Sequence, residues 1–137
     1  MRSWEQLFAK AENSGVYPMN EDAFPDVSKS AAHAGLALFN LNLAGVTGKT
    51  GFLAAAAKAL HFPGYFGHNW DAFEDCLTDL SWLEAKGYVL LIKNLSEFSH
   101  KAPTEMLMAR TILEDAATFW KEHGVRFFVA LPEEGPK

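Results

Sequence analysis

Between Phe62 and Trp82 the chain reads FPGYFGHNWDAFEDCLTDLSW, a loop broken by Pro and Gly followed by apolar positions at helical spacing. At about 3.6 residues per turn, Trp70, Phe73, Leu77 and Leu80 share one face, with Cys76 on its flank. The pattern predicts a helix that begins at His68 or Asn69 and runs to about Leu83. Its outer face carries His68, Asp71, Asp75, Thr78, Asp79 and Trp82, with Glu74 at the margin. An apolar face opposite a solvated one is ordinary for a surface helix. The composition is less ordinary, because no Lys or Arg lies between Phe62 and Ala85. An unneutralised acidic face framed by Tyr65 and Trp82 suits a basic partner.

The remaining pattern alternates helical and extended periods. Ser3 and Gln6 form a capping box for a helix with Trp4, Leu7, Phe8 and Ala11 inward, stopping near Asn13-Ser14-Gly15. Val16-Tyr17 is a short extended piece, and residues 19–24 read as loop. A second helix begins at Pro25 or Asp26 and ends at Gly35. Leu36 to Leu43 reads as an apolar strand buried on both faces. After the Gly45–Gly48 turn, Thr47 or Thr50 caps a helix to Leu60, with Phe52, Leu53, Ala56, Ala57 and Leu60 inward.

Beyond the acidic stretch, Tyr88 to Ile92 is a buried strand and Lys93 to Lys101 a polar connection. Pro103 opens a long helix to His123-Gly124, its inward set Leu107, Ile112, Ala116 and Phe119 or Trp120. Val125 to Leu131 is the last strand, and residues 132–137 form a frayed tail. Strands alternating with helices predict an α/β fold: a small parallel sheet with right-handed crossovers. Val16-Tyr17 can add a further strand at the sheet's edge.

Composition narrows the function. A chain of 137 residues is expected to form one domain with a real core. A net charge of −5 argues against nucleic-acid binding, which needs a basic patch for phosphates. No apolar run reaches the ~20 residues of a membrane span, and MRSWEQLFAK lacks the continuous apolar segment of a signal peptide. The lone Cys76 has no disulfide partner, and the expected setting is the cytoplasm.

Three chemistries compete with partner binding. Gly45-Val46-Thr47-Gly48-Lys49-Thr50 resembles the end of a phosphate loop, but Leu43 stands where that motif needs its first glycine. His68, Asp71 and Asp75 lie at helical spacings that could hold a metal, which would make a small metal-dependent enzyme. The same three could serve acid–base catalysis, but no Ser or Cys nucleophile accompanies them. Neither catalytic residues nor cofactor are expected.

The stretch also resembles a known family. Pro63, Tyr65, Phe66, Gly67, Asn69, Asp71, Ala72, Asp75, Cys76, Leu77 and Thr78 match, without a gap, the barstar family of intracellular ribonuclease inhibitors. The likeness extends more weakly from Leu36 to Leu131, leaving residues 1–35 as an N-terminal extension like that of longer bacterial relatives. The resemblance implies three parallel strands packed by helices, with the extension packed on that core. It implies that loop and helix plug a ribonuclease active site and that the free protein is a monomer. Tyr65 would be the aromatic anchor, Phe66, Gly67 and Asn69 the loop contacts, and Asp71 and Asp75 the main carboxylates. Asp75 would stand where substrate phosphate binds, with Thr78 on the rim. Glu74 replaces a family tryptophan and makes the face more acidic. Phe119 falls where the family's last helix carries an acidic contact, and Trp82 is offset from an interface tryptophan. An immunity protein against a different basic toxin nuclease is the alternative within the same class.

Overall fold

The computed structural model describes residues 4–64 and 68–132. Ser3, Tyr65, Phe66, Gly67 and residues 133–137 therefore lie outside the described residues, so the Ser3 cap and the frayed tail are not addressed. The elements are α1 (Trp4–Phe8), β1 (Gly15–Pro18), α2 (Phe24–His33), β2 (Ala37–Asn42), α3 (Lys49–Ala59), α4 (Trp70–Leu77), β3 (Gly87–Lys93), α5 (Ser96–Lys101), α6 (Pro103–Glu122) and β4 (Arg126–Leu131). Single 3-10 turns cover Ala11–Asn13 and Glu21–Ala23.

The strands form one parallel sheet of four in the order β1-β4-β3-β2. The implied three strands are present, and Val16-Tyr17 supplies the fourth at the edge. Right-handed crossovers explain the layering. The steps β2 to β3 to β4 cross the sheet in one direction and bring α3, α4 and α6 to one face. The step from β1 to β2 runs backward across the sheet and sends α2 to the other. Strand alternation serves both layers. Tyr88, Leu90, Ile92, Phe127, Val129 and Leu131 join the cluster of Phe52, Phe73, Leu77 and Leu113. Val89, Leu91, Phe128 and Ala130 join Phe8, Phe24, Val27 and Ala31. The segment before Leu36 thus covers that face of the sheet over β3 and β4, leaving Asn40 and Asn42 of β2 exposed.

Two polar side chains, Ser14 and Arg126, stitch that segment to β4 and the residue before it. The buried Ser14 hydroxyl donates to the Val125 carbonyl at 3.1 Å and accepts from the Phe127 N–H at 2.9 Å. Arg126 donates from Nη1 to the Phe8 carbonyl at 3.1 Å.

Several expectations are corrected. The first helix stops at Phe8, and Ala11 opens a separate 3-10 turn. β2 is an edge strand, so Ala37, Leu38 and Phe39 are half-buried and Asn40 and Asn42 exposed, not buried on both faces. Gly48, not Thr47 or Thr50, holds the N-cap position of α3, with no side-chain cap. The connection read as polar contains α5, whose Phe98 is fully buried beside Leu95. Leu107 points outward, 65% exposed; Ala109, Ile112, Leu113, Ala116 and Ala117 form the inner face of α6.

Candidate functional site

α4 begins at a built cap. Asn69 sits in extended geometry, and its carboxamide oxygen accepts from the Ala72 N–H at 2.8 Å. His68 just before it takes φ of 55°, in the left-handed region. Phe73, Cys76 and Leu77 are buried, which fixes the helix register expected from the apolar spacing.

The helix is shorter than expected and ends at Leu77. Thr78 is its C-cap, and Leu80 turns the chain at φ of 52°. A left-handed Leu costs about 1–2 kcal/mol. Complete burial of its side chain offsets that, at about 1.5–3 kcal/mol. Trp82 is consequently not on the outer face of a helix. It lies half-buried beyond the turn, donates from Nε1 to the Leu60 carbonyl at 3.0 Å, and packs edge-on against Phe62 at 5.9 Å. It braces the start of the loop that leads into α4.

Two further tryptophans fix α4 against α6. Trp70 donates from Nε1 to Glu105 Oε1 at 3.0 Å, and its ring lies among Phe52 and Phe73. Trp120 donates to the Leu77 carbonyl at 2.8 Å, satisfying a carbonyl that the helix end leaves open. Both ends of α4 are thereby pinned, and its outer face is presented rigidly.

That face carries Asp71, Asp75 and Asp79, all exposed, and Glu74, half-buried. The ion pairs among the described residues are Lys10–Glu12, Glu97–Lys101 and Arg110–Glu114, and none touches these four carboxylates. The Thr78 hydroxyl folds back and donates to the Glu74 carbonyl at 3.0 Å. Cys76 lies beneath the face, buried and free. Burial pushes its thiol above the ordinary range, and the negative charges of Asp79 and Asp75 push it further.

Among the described residues no three His, Cys, Asp or Glu side chains are placed to hold a metal, so His68, Asp71 and Asp75 do not form such a group. No helix among them is long and apolar enough to cross a membrane. The structure joins Asn69, Asp71, Glu74, Asp75 and Thr78 on one short helix and its caps, while Tyr65, Phe66 and Gly67 fall outside the described residues. The braces Glu105 and Trp120 were missed because a hydrogen bond across 35 or 43 residues leaves no local pattern.

Fold and site together define a class: a parallel α/β protein that exposes an unneutralised acidic helix, clamped at both ends, above a closed core. Residues 36–132 match the family described as barstar, the barnase inhibitor. That is more than half of the chain, and the protein belongs to the barstar family. No curated protein matches it.

Proposed function

We propose that the protein inhibits a ribonuclease by seating the loop at 63–69 and the outer face of α4 in the enzyme's active site. The observation that carries the reading is the clamped acidic face, with Asp71 and Asp75 exposed and unpaired, in a member of a family of barnase inhibitors. A ribonuclease site gathers cationic side chains for phosphate, and carboxylates can satisfy them without being cleaved. Asp75 and then Asp71 carry most of the binding energy, with Tyr65 as aromatic anchor. Phe66, Gly67, Asn69, Glu74 and Thr78 complete the contact, and Trp82 acts by bracing the loop. The protein acts in the cytoplasm, without metal, cofactor or catalysis of its own.

A basic toxin nuclease of another kind is the second reading. Glu74 favours it, since it adds a fourth carboxylate to Asp71, Asp75 and Asp79 on the same surface.

The test pairs inhibition with stability for Asp75→Ala. Removing one member of a desolvated charge pair costs about 2–5 kcal/mol, a range for which barnase–barstar contacts are themselves the reference case. Inhibition of the cognate ribonuclease should weaken about 30-fold or more. The urea melt should hardly move, because the side chain faces water in the free protein. Unchanged inhibition refutes the acidic face as the binding surface. A collapsed melt would make Asp75 structural instead.

A further inference from the structure

On the sheet face that carries α1 and α2, a cavity of about 350 Å³ opens between those helices and the start of β4. Its lining is Glu5, Ala9, Ser30, His33, Ala34 and Arg126. All but Arg126 precede Leu36 and so lie outside the stretch matched to the barstar family. The cavity is therefore a product of the N-terminal segment docking on the sheet. Its volume is at the lower end of the range for ligand pockets, about 300–1,000 Å³, which leaves room for one small metabolite.

Arg126 is set into this cavity by the sheet. Alternation along β4 puts its side chain on the same face as Phe128 and Ala130. Beside it on β3 stands Gly87, where a Cβ would come within 3.0 Å of the Arg126 Cβ, so glycine leaves the stem its room. The half-buried guanidinium donates from Nη1 to the Phe8 carbonyl at 3.1 Å. Its other donors find no carboxylate among the described residues. A guanidinium fork is shaped for two-point binding of a carboxylate. Ser30 and His33, three apart on α2, bring a hydroxyl and an imidazole to the same cavity. Glu5 brings the one carboxylate of the lining, and it forms no ion pair with Arg126.

We infer that this cavity binds a small zwitterion, a free α-amino acid, with its carboxylate on Arg126 and its ammonium on Glu5. Opposite charges that line one cavity without closing on each other leave a gap that a molecule of both signs bridges. A phosphate dianion would be repelled by Glu5, and a plain cation by Arg126. Ser30 and His33 supply hydrogen bonds beside the two charges. The ligand would touch α1, α2 and β4 at once, so binding would fasten the N-terminal segment to the sheet and stabilise the fold by mass action. The cavity and α4 lie on opposite faces of the sheet, so this site stands apart from the proposed inhibition.

The experiment titrates the full chain with the free proteinogenic amino acids, using ligand-observed NMR and then calorimetry. Acetate, methylamine and inorganic phosphate serve as controls. At least one amino acid should bind, and acetate and methylamine, its two charged halves, should each bind about tenfold or more weakly. Glu5→Gln should weaken that amino acid about fivefold or more, and Arg126→Lys about tenfold or more, because lysine has no fork. Lys58→Ala, on α3 across the sheet, should leave binding unchanged. A thermal melt accompanies each variant, since Arg126 also holds the Phe8 carbonyl. If Arg126→Lys melts early, Glu5→Gln decides, because the Glu5 side chain is exposed and holds no element in place among the described residues. Binding of no amino acid overturns the inference. Acetate or phosphate bound as tightly as the best amino acid would make this a simple anion site and refute the zwitterion. Binding that survives Glu5→Gln undiminished places the ligand elsewhere and refutes it too.

Discussion

Phe8→Ala tests how firmly the segment before Leu36 belongs to the fold. Phe8 is 1% exposed, and its ring meets Phe128 edge to face at 4.9 Å, on the sheet face that this segment covers. Truncating a buried Phe to Ala costs about 3–5 kcal/mol. α1 is only five residues long and lies at the outside of its layer, so it can settle partly into the cavity. That places the expected loss near ~3 kcal/mol, part of it the edge-to-face contact. Domains have about 0.05–0.15 kcal/mol of stability per residue, so this is a large share of the total. With a urea slope of about 2 kcal/mol per molar, the midpoint should fall by roughly 1.5 M. The assay is a urea melt read by tryptophan fluorescence and by circular dichroism, because Trp4 sits in α1 and Trp70, Trp82 and Trp120 on the other side of the sheet. One shared transition at lower urea supports a single cooperative unit. A shift under ~0.3 M, or fluorescence and circular dichroism separating into two transitions, would show the segment to be a loosely docked appendage and refute the reasoning.

Deleting residues 1–35 should uncover Val89, Leu91, Phe128 and Ala130 and give an aggregating or dye-binding chain, as solubility and a hydrophobic-dye titration will report. Gly87→Ala should cost about 1–3 kcal/mol in a melt, because its new Cβ would lie 2.9 Å from the Arg126 carbonyl, which is fixed in the sheet. Burial raises the Cys76 thiol and the Tyr17 and Tyr88 phenols above their ordinary values of 9.0 and 10.0, so the folded state holds their protons longer than the unfolded chain. Their stabilising contribution is complete below the unfolded values and fades as pH rises through and beyond them, so the melting temperature should drop between about pH 8.5 and 10.5. By the same cause a thiol reagent should label Cys76 slowly at pH 8 until the chain unfolds.

The legible parts of this fold were those written in local spacing. The Asn69 cap, the buried Cys76 and the positive φ of Gly35 follow from neighbours within one or two helical turns. What the sequence did not disclose depends on distant packing. α4 stops at Leu77 although no Gly or Pro follows, because a buried Leu80 accepts a left-handed turn to reach the core. Trp82, which helical spacing put on the outer face of a helix running to about Leu83, is turned inward by its bond to the Leu60 carbonyl. α5 was hidden because only Leu95 and Phe98 among its polar neighbours point inward. The exposed edge of β2 could not be told from a central strand, since ALFNLN is apolar enough for either. The site followed the same division: its carboxylates were readable, its clamps were not.

The strand order has a consequence for how the molecule comes into being. β4 follows every other element in the chain, yet it occupies an interior place between β1 and β3. On a ribosome, β1 must wait for more than a hundred residues before the strand beside it exists, and β3 waits without its second neighbour. Val89 and Leu91 cannot be sealed on the far side until Phe128 and Ala130 arrive. Closure is a late, long-range event, of the kind that slows folding and favours all-or-none assembly. A chain halted before Arg126 would lack the keystone of the sheet, and with it the partner that holds Ser14 and Phe8 in place.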